Sequence, residues 1–242
     1  MAFQTVFKRY ELKYLLTAEE AELLRSLMAE YMEPDRYGKS TIRNIYYDTD
    51  TYRLVRHSIE KPIYKEKLRV RSYAAADNSS TVFVELKKKY DGVVYKRRLS
   101  LPLCQAERWL SGLSGAPLHS QISDEIDYFL SYYATLRPRV YLSYEREAFF
   151  LREDKSFRVT FDRNILARTD ELSLSKEVGG RRILADGSVL MEIKCAGGMP
   201  LWMAHFLSEQ RIYKTSFSKY GEAYKAMILS APADGISEGL LL

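Results

Sequence analysis

The sequence predicts an α+β fold: a closed, mainly antiparallel β-barrel with a charged lumen and helices packed outside. Three observations carry that expectation. Six short segments alternate charge with apolar residues at a period of two: Arg9-Glu11-Lys13, Lys67-Arg69-Arg71, Glu85-Lys87-Lys89, Lys96-Arg98, Arg158 with Asp162, and Glu192-Lys194. Strand side chains point alternately to the two faces of a sheet, so each segment has one ionic and one apolar face. Strand-like segments also come in runs joined by hairpin signals, with helix-like segments gathered between the runs, which is an α+β pattern. Finally, cations are in excess on the ionic faces, so closing the sheet with those faces inward gives a barrel with a water-filled lumen suited to a polyanion.

The elements follow in order. Phe7 to Leu16 reads as a strand. Thr17-Ala18-Glu19-Glu20 is a capping box, with Leu23, Leu24, Leu27, Met28 and Tyr31 at helical spacing and Pro34 as the stop. Asn44 to Tyr47 is a strand, and Asp48 is placed to cap a short helix carrying Tyr52, Leu54 and Val55. Tyr64 to Tyr73, Thr81 to Lys89 and Val93 to Leu101 are strands; Asp91-Gly92 is a hairpin signal, and Pro102 ends the last of them. Leu103 to Leu113 and Ser123 to Leu136 read as helices, and Pro138 separates the second from a strand, Val140 to Phe149. Phe157 to Asp162 and Val189 to Lys194 are strands, with turns at Gly179-Gly180 and Asp186-Gly187. Leu201 to Tyr213 is helical behind Pro200, and Ser218 caps a last helix through Leu229.

Composition narrows the class. A chain of 242 residues that is 46% hydrophobic makes one large domain or two small ones. It contains no run of ~18 apolar residues, so no spanning helix is expected. Met1 to Val6 lacks a basic region followed by an apolar core, so no secretion signal is expected. Cys104 and Cys195 are the only cysteines, too few for a disulfide framework, and the three histidines do not support a His/Cys metal site. A reducing, cytoplasmic location fits that usage.

Seven motifs then occur in one order. They are Arg9-Tyr10-Glu11-Leu12-Lys13-Tyr14, Ile45-Tyr46-Tyr47-Asp48-Thr49-Asp50, Leu68-Arg69-Val70-Arg71, Glu85-Leu86-Lys87, Tyr144-Glu145-Arg146-Glu147-Ala148-Phe149, Glu192-Ile193-Lys194 and Phe217-Ser218-Lys219-Tyr220. In this order the chain resembles the VTC domain, the catalytic domain of vacuolar transporter chaperone polyphosphate polymerases, within the CYTH-like triphosphate tunnel superfamily. The resemblance implies a single domain over residues 5–229 and a closed antiparallel tunnel; the remaining 230–242, with Pro232, Gly235 and Gly239, reads as a loose tail. Its phosphate-binding positions fall on Lys13, Arg69, Arg71, Lys87 and Arg146, with Lys96 and Arg98 beside them; Arg9, Lys194, Lys214 and Ser218 join the substrate set. Arg69, Arg71, Arg146 and Lys219 stand where the family handles the reacting phosphate. Glu192 stands at its metal-binding Glu, which implies Mn2+ or Mg2+. Two positions depart from relatives. Arg9 occupies the first Glu of the Glu-x-Glu-x-Lys opening of tunnel hydrolases, and Ser216 occupies a lysine position of the polymerases.

The chemistry agrees with these residue types. A triphosphate has no apolar surface, so binding must be ionic. Arg donates paired hydrogen bonds to phosphate oxygens, and Lys adds a mobile point charge. Arg69 and Arg71 on one strand would stand ~7 Å apart, the reach of neighbouring phosphates. Any one Lys/Arg alternation alone is an ordinary solvated sheet face; the ordered set reverses that preference. Glu11 and Glu85 are expected as partners of cations, and Asp162 as either a partner or a ligand. Mg2+ and Mn2+ accept one carboxylate completed by substrate phosphates, so Glu192 suffices in principle. The expected activity is transfer of the γ-phosphoryl of ATP or another triphosphate to phosphate or polyphosphate. The alternatives are a triphosphate hydrolase and a non-catalytic polyphosphate-binding module. Paired tyrosines such as Tyr46-Tyr47 sit among apolar residues, so nucleic acid is not expected as a partner; a membrane-protein partner stays unassigned.

Overall fold

A computed structural model describes residues 10–91 and 93–230. In order the elements are β1 (Tyr10–Leu16), α1 (Ala18–Tyr31), β2 (Met32–Pro34), β3 (Ser40–Asp48), α2 (Arg53–Ile59), β4 (Tyr64–Ser72), β5 (Thr81–Tyr90), β6 (Val93–Pro102), α3 (Leu103–Leu110), α4 (Gln121–Tyr132), β7 (Arg137–Leu151), β8 (Arg158–Arg168), β9 (Arg181–Arg182), β10 (Val189–Cys195), α5 (Leu201–Glu209) and α6 (Lys219–Tyr224). A π-helical turn, Lys225–Leu229, continues α6. The strands form one antiparallel sheet in the order β1-β10-β8-β7-β3-β4-β5-β6, with β2 on β7 and β9 on β8. Arg9, Gly92 and the expected tail from Ala231 lie outside the described residues.

The apolar strand faces bury two outer layers of helix. Tyr14, Phe161, Met191 and Ile193 pack beneath α1 and α5, against Leu24, Met28, Met203 and Phe206. Leu68, Val70, Val84 and Leu86 pack beneath α3 and α4, against Trp109 and Ile126. The capping box of α1 forms as expected: the Glu20 N–H donates to Thr17 Oγ1 at 3.1 Å, and the Thr17 N–H donates to Glu20 Oε2 at 2.8 Å. Thr17→Ala should therefore lower stability by about 1 kcal/mol, read by urea unfolding, and Thr17→Ser should restore most of it.

The sheet curls strongly. Glu11 lies on β1, one end of the strand order, and Lys87 on β5, next to the other end, yet their side chains approach to 3.6 Å. The expected closure into a hydrogen-bonded barrel is not formed: among the described residues β1 and β6 share no ladder. A different segment occupies the outer edge of β1. Tyr14 bridges to Lys214, and the Thr215 N–H donates to the Lys13 carbonyl at 2.7 Å. Backbone groups satisfied in this way are not available to β6.

Not every helix lies outside. α6 plugs the concave face, where Tyr220, Ala223 and Tyr224 pack against Ile42, Tyr46, Leu142 and Leu190. Tyr220 stacks on Tyr46 at 4.5 Å and donates its hydroxyl to Asp48 Oδ2 at 2.9 Å. Asp48 in turn accepts the N–H groups of Leu54 and Val55 at 2.9 and 3.0 Å, so it caps α2 as the sequence predicts. Pro138 was expected to precede its strand and instead lies within β7. It pairs with Tyr47 where the register slips, a place where a missing N–H is tolerated. Residues 32–34 form a short strand rather than a stop, because their backbone finds the edge of β7. In α1, Leu23 is half exposed and Ala21, Leu24 and Met28 make the buried stripe.

Candidate functional site

Register gathers the charged positions on one face. Residues directly opposite in an antiparallel pair share a face. Lys13 faces Glu192, Glu11 faces Lys194, and Arg146 faces Asp162. Across the other half, Tyr46 faces Arg69, Arg69 faces Glu85, and Glu85 faces Arg98; beside them runs the row Lys67, Lys87, Lys96. The curl of the sheet turns this face inward, and α6 brings Ser218 and Lys219 to it from below.

Two carboxylate hubs organise the face. Glu85, 1% exposed, holds Arg69 through Nε at 2.8 Å and Nη2 at 2.7 Å, Lys96 at 2.6 Å, Arg98 through Nε at 2.7 Å, and Arg71 at 3.9 Å. Neutral groups fix what remains of these forks. Arg69 donates to Tyr46 Oη at 3.0 Å; Arg71 donates to Asn44 Oδ1 at 2.8 Å and Tyr144 Oη at 3.2 Å; Arg98 donates to Tyr73 Oη at 3.0 Å. The second hub is Asp162 with Glu192. Arg146 grips Asp162 with two bonds of 2.6 Å and reaches Glu192 at 3.1 Å. Lys219 lies 2.5 Å from Asp162 and 2.8 Å from Glu192, while Lys13 and Lys194 each stand 3.7 Å from Glu192. Glu11 lies between β1 and β5, at 3.4 Å from Lys13 and 3.6 Å from Lys87.

Charge on the face does not balance. Among the described residues Lys13, Lys67, Arg69, Arg71, Lys87, Lys96, Arg98, Arg146, Lys194 and Lys219 outnumber the carboxylates Glu11, Glu85, Asp162 and Glu192 that they meet. The titration behaviour shows the surplus. Burial opposes ionisation of Glu192, yet Lys219, Arg146, Lys13 and Lys194 hold its carboxyl well below the usual range. Burial likewise opposes ionisation of Glu11, but Lys87, Lys194 and Lys13 hold it at about 2. Lysines move the other way. Burial, then repulsion from Lys87, Lys13, Lys65 and Arg69, brings Lys67 down to about 7. Lys96 falls to about 7 and Lys194 to about 8, in each case chiefly through burial. Lys96 is depressed although it touches Glu85, because desolvation, with repulsion from Arg69 and Arg98, outweighs that contact. Lys219, with two carboxylates of its own, is raised instead despite burial.

Most of the expected residues therefore meet. Arg69, Arg71, Lys87, Lys96, Arg98, Arg146, Lys13, Lys194, Ser218 and Lys219 lie on or against this face. Lys214 does not join them: its backbone bridges to Tyr14 and its side chain is exposed. Arg9 falls outside the described residues. Glu11 and Glu85 act as cation partners, as expected, and Asp162 does the same. The expected site set left out Lys67, Asn44, Tyr46 and Tyr144. Lys67 carried a signal, since it is in phase with Arg69 and Arg71; the other three are polar atoms hidden in apolar strands.

The divalent ion that the resemblance places on Glu192 requires oxygen donors turned to a common point. Here Glu192 Oε1 faces Lys219 and Lys13, and Oε2 faces Arg146 and Lys194. Among the described residues no three His, Cys, Asp or Glu side chains come together to hold an ion. This donor set fits the binding of cationic side chains and does not fit a metal held by the protein alone.

Comparison with known proteins agrees with this architecture. A candidate adenylate cyclase from Bacillus halodurans superposes with a TM-score of 0.53 at 14% identity, over 88% of this chain and 94% of that one. An adenylyl cyclase candidate from Hippeastrum, described as having a dominant triphosphatase activity, superposes with a TM-score of 0.52 at 14% identity, over 89% of this chain and 95% of that one. At such identities the likeness is one of fold. No curated protein matches the chain in sequence. The VTC domain does match it, over residues 8–228, which is nearly the whole of the sheet and its helices; the chain belongs to the VTC domain family.

Proposed function

We propose that the concave face is a triphosphate tunnel and that the chain is a polyphosphate polymerase-like phosphotransferase. It moves the γ-phosphoryl of ATP or another nucleoside triphosphate to orthophosphate or to a growing polyphosphate. The carrying observation is the unbalanced charge of the face, above all a partly buried Lys67 with no carboxylate partner among the described residues. A polyanion supplies the missing charge.

Phosphoryl transfer requires little covalent help from a protein; positioning and charge neutralisation dominate. Arg69, Arg71, Arg146 and Lys219 are already aimed by Glu85, Asp162, Glu192, Tyr46, Asn44 and Tyr144, so little reorganisation is needed when phosphate arrives. In this reading they neutralise the reacting phosphoryl group. Lys13, Lys87, Lys96, Arg98, Lys194 and Ser218 hold the rest of the chain, and Arg9 and Lys214 serve its outer reach. The Glu11–Lys87 contact draws β1 toward β5, one strand in from the far edge of the sheet. Mn2+ or Mg2+ enters as part of the substrate, on triphosphate oxygens, rather than as a resident of Glu192.

The deciding experiment incubates purified protein with ATP and Mn2+ and resolves the products on a gel. A polyphosphate ladder is expected. Orthophosphate without polymer would make the protein a triphosphate hydrolase, and tight polyphosphate binding without turnover would make it a binding module.

A further inference from the structure

Lys67 differs from the lysines of the concave face that are paired with carboxylates. Lys13, Lys87, Lys96, Lys194 and Lys219 each stand against a carboxylate. Lys67 stands against a hydroxyl: its Nζ lies 3.2 Å from Ser218 Oγ and 5.9 Å from the Tyr220 ring centroid. Lys65 and Arg69 on β4, Lys87 on β5 and Lys13 on β1 surround it with positive charge. A desolvated lysine among cations surrenders its proton easily, and burial first, then those neighbours, brings this one to about 7. Once neutral, its lone pair accepts the hydrogen of the Ser218 hydroxyl.

Ser218 is held for that exchange. The Gly221 N–H donates to its Oγ at 3.3 Å and remains to meet negative charge there. Lys13 Nζ donates to the Phe217 carbonyl at 3.0 Å, which fixes the residue before it. Lys219, the residue after it, is locked between Asp162 and Glu192. A hydroxyl bonded to a neutral amine, inside a site that collects phosphates, has the parts of an activated nucleophile.

We infer that Ser218 accepts a phosphoryl group, with Lys67 as the base that activates it. The inference rests on the triphosphate reading of the face. In the step, Lys67 Nζ takes the Ser218 hydroxyl proton and becomes an ammonium. Ser218 Oγ forms a bond to the terminal phosphorus, and the bond from that phosphorus to its bridging oxygen breaks. The bridging oxygen leaves with its electron pair on the diphosphate product. The new ammonium then lies beside the phosphoserine it helped to form.

The test mixes the full chain with ATP, or with inorganic tripolyphosphate, and Mg2+, and follows intact mass and peptide maps. A gain of about 80 Da, the mass of one phosphoryl group, is expected on Ser218. Its rate of appearance should climb with pH above about 7, because the bound anion holds the Lys67 proton more tightly than the empty face does, and then level off once Lys67 is neutral. Lys67→Arg keeps the charge and loses the base, so the rate should fall by about a hundredfold or more while tripolyphosphate still binds. Ser218→Asn keeps a capping oxygen for the Gly221 N–H and should give no adduct, with its melting curve checked alongside. Calorimetric binding of tripolyphosphate without any mass gain on Ser218 would overturn this inference and leave the tunnel reading intact. Absence of binding would overturn both. An undiminished rate in Lys67→Arg would remove Lys67 as the base.

Discussion

Glu192→Gln should lower the stability of the free protein by about 3–5 kcal/mol at pH 7, the usual cost of removing one partner from a buried ion-pair group. For a domain of this size the melting temperature should fall by roughly 6–20 °C. The cause lies in the geometry of the second hub. Lys219 at 2.8 Å, Arg146 at 3.1 Å, and Lys13 and Lys194 at 3.7 Å converge on one carboxylate, and glutamine keeps its shape without its charge. Asp162 then remains as the one carboxylate against Arg146 and Lys219. The pH dependence has a definite sign. The native pKa of Glu192 is depressed, so its stabilising effect is present above the ordinary carboxylate range and is lost as pH falls through the native value. The gap between wild type and variant should therefore narrow in acid. Tripolyphosphate should raise the melting temperature of the variant more than that of the wild type, because the anion takes the place of the missing carboxylate. A loss under about 1 kcal/mol, or no difference in rescue, would show that Glu192 is not the anchor of the hub.

Much of that hub could be read from the chain, and the reason is local. Alternation at a period of two is a property of each strand by itself, so Arg69 with Arg71, and Glu192 with Lys194, declare a shared face before any neighbour is known. Partner identity is different. Arg71 meets Asn44 and Tyr144 because β4 lies on β3 and β3 on β7, and strand order across such separations leaves no trace in local pattern. Barrel closure failed for a similar reason. The competitor for the edge of β1 is residues 214–215, which follow a helix and carry no strand-like alternation. The plug formed by α6 was also out of reach, since Tyr220 and Tyr224 look like any apolar helix face until the sheet curls around them. Lys67 shows both sides. Its phase with Arg69 and Arg71 was visible, but its lack of a counter-ion depends on every strand that encloses it.

Lys67→Met should make the free protein more stable and the triphosphate complex weaker. The two effects share one origin. A lysine whose folded pKa is pulled from 10.5 to about 7, by burial and then by Lys87, Lys13, Lys65 and Arg69, opposes folding wherever the unfolded chain binds the proton more tightly. That opposition is complete at and below pH 7 and fades as pH rises toward 10.5. Methionine fills a similar volume without charge, so the gain should be about 2–4 kcal/mol near pH 7 and should shrink steadily in alkaline buffer, as followed by urea unfolding. Binding should move in the opposite direction. An anion restores the proton to Lys67, so removing that ammonium should weaken tripolyphosphate by about 10- to 100-fold at pH 7, the worth of one charge-assisted contact. Wild-type affinity should itself decline above pH 7, because each further pH unit requires the complex to take a proton from a scarcer supply; Lys96 and Lys194, at about 7 and about 8, steepen the fall. Lys67→Met should flatten that slope by one proton. A variant that binds as tightly as wild type, or one that is no more stable at neutral pH, would mean that Lys67 is an ordinary solvated lysine. Phosphate would then be held by the other cations of the face without Lys67, whose cost to the empty fold is explained only by the ligand it awaits.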